Sequence, residues 1–331
     1  MVLSIKGMRA KGVIMTTAAA PPPPPICSSG PTWVAETVNN FPHTSIATNG
    51  LGLWVIAGSA ASSKIGAIWS TDGFQSYTAA SGMPVYSGAI KDLVCVSGRF
   101  MGPIDFVTFA YSDDGNNWTT VGTPGGAAAF ASLANGRCFV VDDSTNTGYW
   151  TTNGTTFTPF TMPGTDVYTS IAYVNGNYIA FGYQRAYYST NLITWNNSTV
   201  PAPWLGGGGA VSQWAYSPSS NTIVGVDQYS PGGAYKSVDN GVTWTAITMP
   251  VTGSTLWRDV IYSQGAFLAC QSSTHSLAIS TNQGVTWSIA ANTFTPAATG
   301  FQRMETNGTG LYVAMSNGGS SPLTLANRGT C

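Results

Sequence analysis

Charge is what this chain has least of. Its 331 residues carry 12 Lys and Arg against 13 Asp and Glu, 8% of the total, for a formal net charge of −1. Glutamate occurs only at Glu36 and Glu305, and histidine only at His43 and His275. So flat a balance leaves no basic footprint for nucleic acid. Two isolated histidines supply neither a zinc-ligand spacing nor a Ser–His–Asp set. Long helices with charged outer faces are excluded, because Ser, Thr, Asn and Gly must cover the surface. No apolar run reaches the roughly 18 residues of a membrane helix. Gly206–Gly209 is followed by neither Lys-Ser nor Lys-Thr, so it is not a phosphate loop. No cofactor is implied.

Cysteine is scarce and odd in number, with five residues. Cys95, Cys138 and Cys270 each lie in a short apolar run and read as buried thiols. Cys27 and Cys331 stand near the two ends.

What the chain has instead is 39 Gly, 11 Trp, 15 Tyr and a repeated peptide. Residues 280–287 read Ser-Thr-Asn-Gln-Gly-Val-Thr-Trp, and residues 237–244 read Ser-Val-Asp-Asn-Gly-Val-Thr-Trp. Looser copies begin at Ser70, Ser112, Thr151 and Ser189, the last with Leu192 where glycine belongs. Asp and Asn close such turns by accepting hydrogen bonds from nearby backbone, and glycine supplies positive φ. Each copy predicts a hairpin tip followed by a strand that opens with an inward aromatic. Those aromatics are Trp33, Tyr77, Trp118, Phe157, Trp195, Trp244 and Trp287, at spacings of 44, 41, 39, 38, 49 and 43 residues. A period near 40 suits a four-stranded unit. Asn-Gly pairs such as Asn49-Gly50, Asn175-Gly176 and Asn307-Gly308 mark a second hairpin in each unit.

The peptide resembles the Asp-box, or BNR, repeat S-x-D-x-G-x-T-W of β-propeller proteins. The resemblance implies an all-β propeller in which the boxes brace the blades. Counting units predicts seven blades of four strands. The chain starts inside a unit at Trp33 and stops at Cys331 short of the next aromatic, so N- and C-terminal strands are expected to close the last blade together. Cys27 and Cys331 then meet at that seam. A disulfide there would close a loop of about 300 residues and stabilise the fold by roughly 5 kcal/mol. It would point to a virion or extracellular setting.

Residues 1–26 lie outside the repeat and read as an extended anchoring arm, with Lys6, Arg9 and Lys11 as a basic cluster and Pro21–Pro25 as a polyproline rod. Residues 27–331 form the propeller.

The same resemblance raises sialidase chemistry, which needs an arginine triad, a Tyr–Glu nucleophile pair and an acidic Asp. Glu36 falls in a closing outer strand. Glu305 and Arg303, with Arg258 and Asp259 one unit earlier, are the residues able to line a channel mouth, either as a glycosidase pair or as a satisfied polar cluster. Asp113-Asp114 and Asp142-Asp143 are candidate calcium ligands or plain surface acids; no metal is expected. Trp204 and Leu205, on a Pro- and Gly-rich insertion, and Trp257, beside a connection, are the candidate binding residues. The expected function is that of a non-enzymatic virion component, a phage tail, fibre or decoration protein. It would be anchored to other subunits by its arm and would bind neighbouring subunits or a host glycan or protein. A sialidase-like hydrolase and an assembly factor for a membrane complex are the alternatives.

Overall fold

A computed structural model describes residues 34–38, 43–60, 64–83, 90, 92–105, 107–123, 130–141, 146–164, 166–182, 185–201, 211–227, 233–250, 256–271, 276–290, 299–308, 312–317 and 323–327. The arm at 1–26, with Lys6, Arg9 and Lys11, lies outside these residues, as do Cys27, Cys331, Trp204, Leu205 and Asp142-Asp143.

The described strands pair into antiparallel four-stranded sheets. Sheet 1 is β2 (His43–Thr48), β3 (Trp54–Ala60), β4 (Lys64–Ser70) and β5 (Thr78–Ala79). Sheet 2 is β6 (Val94–Val96), β7 (Arg99–Pro103), β8 (Thr108–Ser112) and β9 (Thr119–Gly122). Sheet 3 is β10 (Phe130–Ala134), β11 (Arg137–Val141), β12 (Thr147–Thr151) and β13 (Thr158–Thr161). Sheet 4 is β14 (Tyr168–Val174), β15 (Asn177–Gly182), β16 (Ala186–Ser189) and β17 (Asn196–Asn197). Sheet 5 is β18 (Val211–Ser217), β19 (Thr222–Asp227), β20 (Ala234–Ser237) and β21 (Thr245–Ala246). Sheet 6 is β22 (Trp257–Ser263), β23 (Ala266–Gln271), β24 (Leu277–Ser280) and β25 (Ser288–Ile289).

A count of sheets made from consecutive strands stops at these six. The remaining sheet is composite. Its order is β1 (Val34–Val38), β28 (Leu323–Asn327), β27 (Tyr312–Asn317) and β26 (Thr299–Thr306), so the N-terminal strand takes the outer position. The inner strands β2, β6, β10, β14, β18, β22 and β26 touch in that order, and β26 touches β2. The composite sheet therefore fills the place between sheets 6 and 1 and closes the ring. A ring needs no free inner edge, and here the closure is made by β1 pairing with β28 from Val34↔Asn327 to Val38↔Leu323.

The core is divided among the gaps between sheets. Val55, Ala57, Leu93, Phe100 and Trp118 pack between sheets 1 and 2, whereas Ile56, Ile68, Val313 and Met315 pack between sheet 1 and the composite sheet. Adjacent residues of one strand thus serve opposite gaps, as the period of two demands. Strands buried on both faces read as unbroken apolar runs, which explains Phe267-Leu268-Ala269-Cys270. Cys95, Cys138 and Cys270 are buried in three different gaps.

Two expectations need correction. The strand after each repeated turn is reduced to two residues in sheets 1, 4, 5 and 6. Among the described residues, only Trp118 and Trp244 of the aromatics that follow the turns are fully buried, and Tyr77, Phe157, Trp195 and Trp287 are half-buried.

Candidate functional site

In an antiparallel four-stranded sheet, the turn after the first strand and the turn after the third lie at one end. All the repeated peptides therefore gather on one face of the ring, together with the first-hairpin tips. Their local geometry follows from side-chain acceptors. The hydroxyl at the first position accepts the N–H of the residue at positive φ: Gly115 to Ser112 at 2.9 Å, Gly154 to Thr151 at 2.8 Å, Gly241 to Ser237 at 2.9 Å and Gly284 to Ser280 at 2.9 Å. The Asp or Asn at the third position accepts backbone N–H groups further on, Thr243 to Asp239 at 2.9 Å and Thr286 to Asn282 at 2.9 Å.

Asp and Asn are interchangeable here because the partner threonine reverses its role. Thr243 Oγ1 donates to Asp239 at 2.6 Å, while Asn282 Nδ2 donates to Thr286 Oγ1 at 2.7 Å. Partial burial works against the charge of Asp72, Asp114 and Asp239, but the hydrogen bonds they accept outweigh it and hold all three below the ordinary carboxylate range.

The turn glycines also seat each sheet on the one before. A Cβ on Gly241 would lie 2.5 Å from Ile179 Cδ1, and one on Gly284 would lie 2.9 Å from Val224 Cγ2. Sheets 1 and 4 use a large side chain instead. Phe74 (φ 68°) and Leu192 (φ 62°) take the left-handed position, bond to Ser70 and Ser189 as the glycines do, and fill the neighbouring gap.

Around the ring axis, the inner strands carry polar residues near their starts. Register shifts in β2, β14, β18 and β22 mark the same place. Side chains there stitch neighbouring sheets together. Thr44 Oγ1 donates to the Ile90 carbonyl, Ser45 Oγ accepts from Leu93 N at 2.6 Å, and Thr169 Oγ1 donates to Val211 O at 2.8 Å. Asp259 belongs to this set: its carboxylate is buried and accepts from Val260 N at 2.9 Å and from Met304 N at 2.7 Å, tying β22 to β26. Arg303 reaches past sheet 1 to Asp92 at 3.4 Å. Glu305, 9% exposed, accepts from Thr306 N at 3.1 Å.

Of the four nominated channel residues, Asp259 and Arg303 are thus engaged in holding the ring. Asp92 is the partner that sequence reasoning missed. Its signal is the triplet Lys91-Asp92-Leu93, which matches Arg258-Asp259-Val260 in residue type and in its place before an inner-strand apolar run. Trp257 is 1% exposed and packs between sheets 5 and 6, so its place beside a connection does not make it a surface residue. Trp214 is likewise buried within β18.

The proposed calcium acids Asp113 and Asp114 are engaged as well. Asp113 accepts from Arg99 at 2.6 and 2.8 Å, and Asp114 accepts from Asn116 N at 2.8 Å and Asn117 N at 2.7 Å. Among the described residues no group of three or more His, Cys, Asp or Glu is placed to hold a metal. The turn-bearing face instead offers exposed aliphatic side chains: Leu51 on sheet 1, Ile193 on sheet 4, Val238 on sheet 5 and Val285 on sheet 6.

Ring closure by seven pairwise cores and a strand from each end define the class of this protein as a β-propeller. Solved structures agree at the level of fold. YCF48 bound to D1 peptide superposes with a TM-score of 0.70 at 12% identity, covering 95% of this chain and 100% of that one. Virginiamycin B lyase from Staphylococcus aureus gives 0.71 at 10% identity, covering 90% and 100%. A chain of the Mitotic Checkpoint Complex gives 0.67 at 9% identity, covering 96% and 98%. No family model and no curated protein sequence matches the chain.

Proposed function

We propose that this propeller is a non-enzymatic structural and binding protein. The observation that carries the reading is the division of labour among its few charges and exposed apolar groups. Asp259, Arg303 and Asp92 brace the ring, and Asp72, Asp114 and Asp239 brace the turns, while Leu51, Ile193, Val238 and Val285 stand exposed on one face. Exposed aliphatic groups gathered on one face suit contact with another macromolecule. The turn peptides, by their resemblance to Asp-boxes, serve as braces.

The finer reading is a virion component, a phage tail, fibre or decoration protein at a virion or extracellular surface. Residues 1–26 would anchor it to other subunits, and the propeller would bind neighbouring subunits or a host-surface glycan or protein. The low charge and the Gly, Ser, Thr, Asn and aromatic content support it. A second reading, an assembly factor that engages a peptide, is favoured by the fold shared with YCF48 bound to D1 peptide.

The test is binding of the labelled full-length chain to candidate host cells before and after surface polysaccharide is stripped. Binding lost on stripping supports a glycan-reading attachment protein. No binding to any cell removes the host-attachment reading and leaves subunit contact. Turnover of a fluorogenic sialoside that disappears in Glu305→Gln would overturn the non-enzymatic reading altogether.

A further inference from the structure

We propose that Asn175 is a spontaneous modification site, and that its conversion to an acid unfastens the seam between sheets 4 and 5 on the turn-bearing face. The reaction is deamidation at an Asn-Gly pair. The backbone nitrogen of the glycine attacks the asparagine Cγ and loses its proton, and the amide leaves as ammonia. Water then opens the cyclic imide to aspartate or isoaspartate. The step needs no oxidant or metal, but it needs a glycine nitrogen that the fold does not hold.

Six Asn-Gly pairs fall among the described residues, at Asn49, Asn135, Asn153, Asn175, Asn240 and Asn307. In four of them the glycine N–H is held by a hydroxyl: Gly50 by Thr48 at 3.1 Å, Gly154 by Thr151 at 2.8 Å, Gly241 by Ser237 at 2.9 Å and Gly308 by Thr306 at 3.1 Å. Asn135-Gly136 and Asn175-Gly176 differ. They are the two-residue tips of the β10–β11 and β14–β15 hairpins, with positive φ at both residues. That geometry leaves the second N–H of the tip outside the strand ladder. A Cβ built on Gly176 meets nothing within 4 Å, so the tip has room to open and close.

The two tips differ in what conversion does. Asn135 Nδ2 donates to Tyr178 Oη at 2.9 Å. A phenol both donates and accepts, so a carboxylate at 135 takes the same bond in reverse. Asn175 Nδ2 donates to Asn221 Oδ1 at 2.8 Å and to Asn240 Oδ1 at 3.4 Å, across to sheet 5. A carboxylate there cannot bond Asn221 Oδ1. The Tyr216 hydroxyl, also within reach of position 175, can donate to it only by leaving Asn221 Oδ1. The three-way contact is therefore lost even if the Asn240 amide turns its Nδ2 inward. Asn221 cannot turn its amide to help without loss, because its Nδ2 donates to Val238 O at 3.1 Å and its Oδ1 accepts from Tyr216 Oη at 3.1 Å. The change replaces a donor with a charged acceptor at the point where one turn of sheet 4 touches two turns of sheet 5.

The full-length protein is aged in mildly alkaline buffer and mapped by peptide mass spectrometry. Conversion at 175 and 135 ahead of 49, 153, 240 and 307 is the expected result. Conversion at the four hydroxyl-held sites as fast as at 175 would overturn the proposal. Asn175→Asp and Asn135→Asp are then compared by thermal unfolding; both substitutions suit the left-handed tip, so both variants fold. N175D is expected to melt about 2–4 °C below N135D. An N175D midpoint equal to or above that of N135D would show that no clasp exists.

Discussion

Replacing Leu192 by glycine sets two large effects against each other. Leu192 sits at φ 62°, a conformation that costs a non-glycine residue about 1–2 kcal/mol. Glycine removes that strain. The side chain, however, is buried against Met162, Tyr168 and Tyr187 in the gap between sheets 3 and 4. Truncating a buried leucine to alanine costs about 2–5 kcal/mol. Glycine adds roughly 0.5–1 kcal/mol through the greater freedom of the unfolded chain. The balance is a net loss of about 0.5–5 kcal/mol. Leu192→Ala keeps the strain and loses the packing, so it should unfold at lower urea concentration than Leu192→Gly. Urea titration followed by tryptophan fluorescence measures both. A Leu192→Gly protein as stable as the parent would mean that the side chain fills nothing. A Leu192→Ala protein more stable than Leu192→Gly would mean that the left-handed strain is smaller than the cost of glycine's greater freedom in the unfolded chain.

Three further outcomes follow from the same geometry. Gly241→Ala should destabilise by about 1–3 kcal/mol in the same titration, because its Cβ would stand 2.5 Å from Ile179 Cδ1 at a backbone φ of 83°; unchanged stability would show that the sheets can part there freely. The carboxylates of Asp72, Asp114 and Asp239 are held below their ordinary range, so their contribution is complete above about pH 3.9 and falls away as pH drops through their lowered values. Asp239→Asn should keep its turn, as Asn282 does, and lose less stability on acidification in pH-dependent melts; acid sensitivity identical to the parent's would remove Asp239 from that account. Asp259→Ala removes the buried carboxylate that accepts from Val260 N and Met304 N and should cost about 1–3 kcal/mol, read as a drop in unfolding midpoint.

The parts of this fold that could be read in the chain are those made by residues a few positions apart. Ser237 and Gly241, or Asn49 and Leu53, meet through bonds spanning four residues, so the turns repeat visibly wherever they occur. The hairpin tips were legible for the same reason, although Ser97-Gly98 and Gln264-Gly265 adopt the left-handed tip without asparagine. Trp257 was misread because proximity to a connection says nothing of direction. Its side chain turns into the gap between two sheets, and that gap exists only once both sheets are in place. The missed Asp92 has the same cause, since its partner Arg303 is 211 positions away.

By itself, then, the sequence determined the repeating unit: the turn chemistry, the period near 40 and strands apolar on both faces, all set by short-range bonding and side-chain alternation. The tertiary structure decided which sheet abuts which, how β1 and β28 close the ring, why Leu192 and Phe74 replace glycine, and where the few charges go. Those outcomes depend on contacts between segments far apart in the chain, whose geometry is fixed by packing around a common axis and has no local signature.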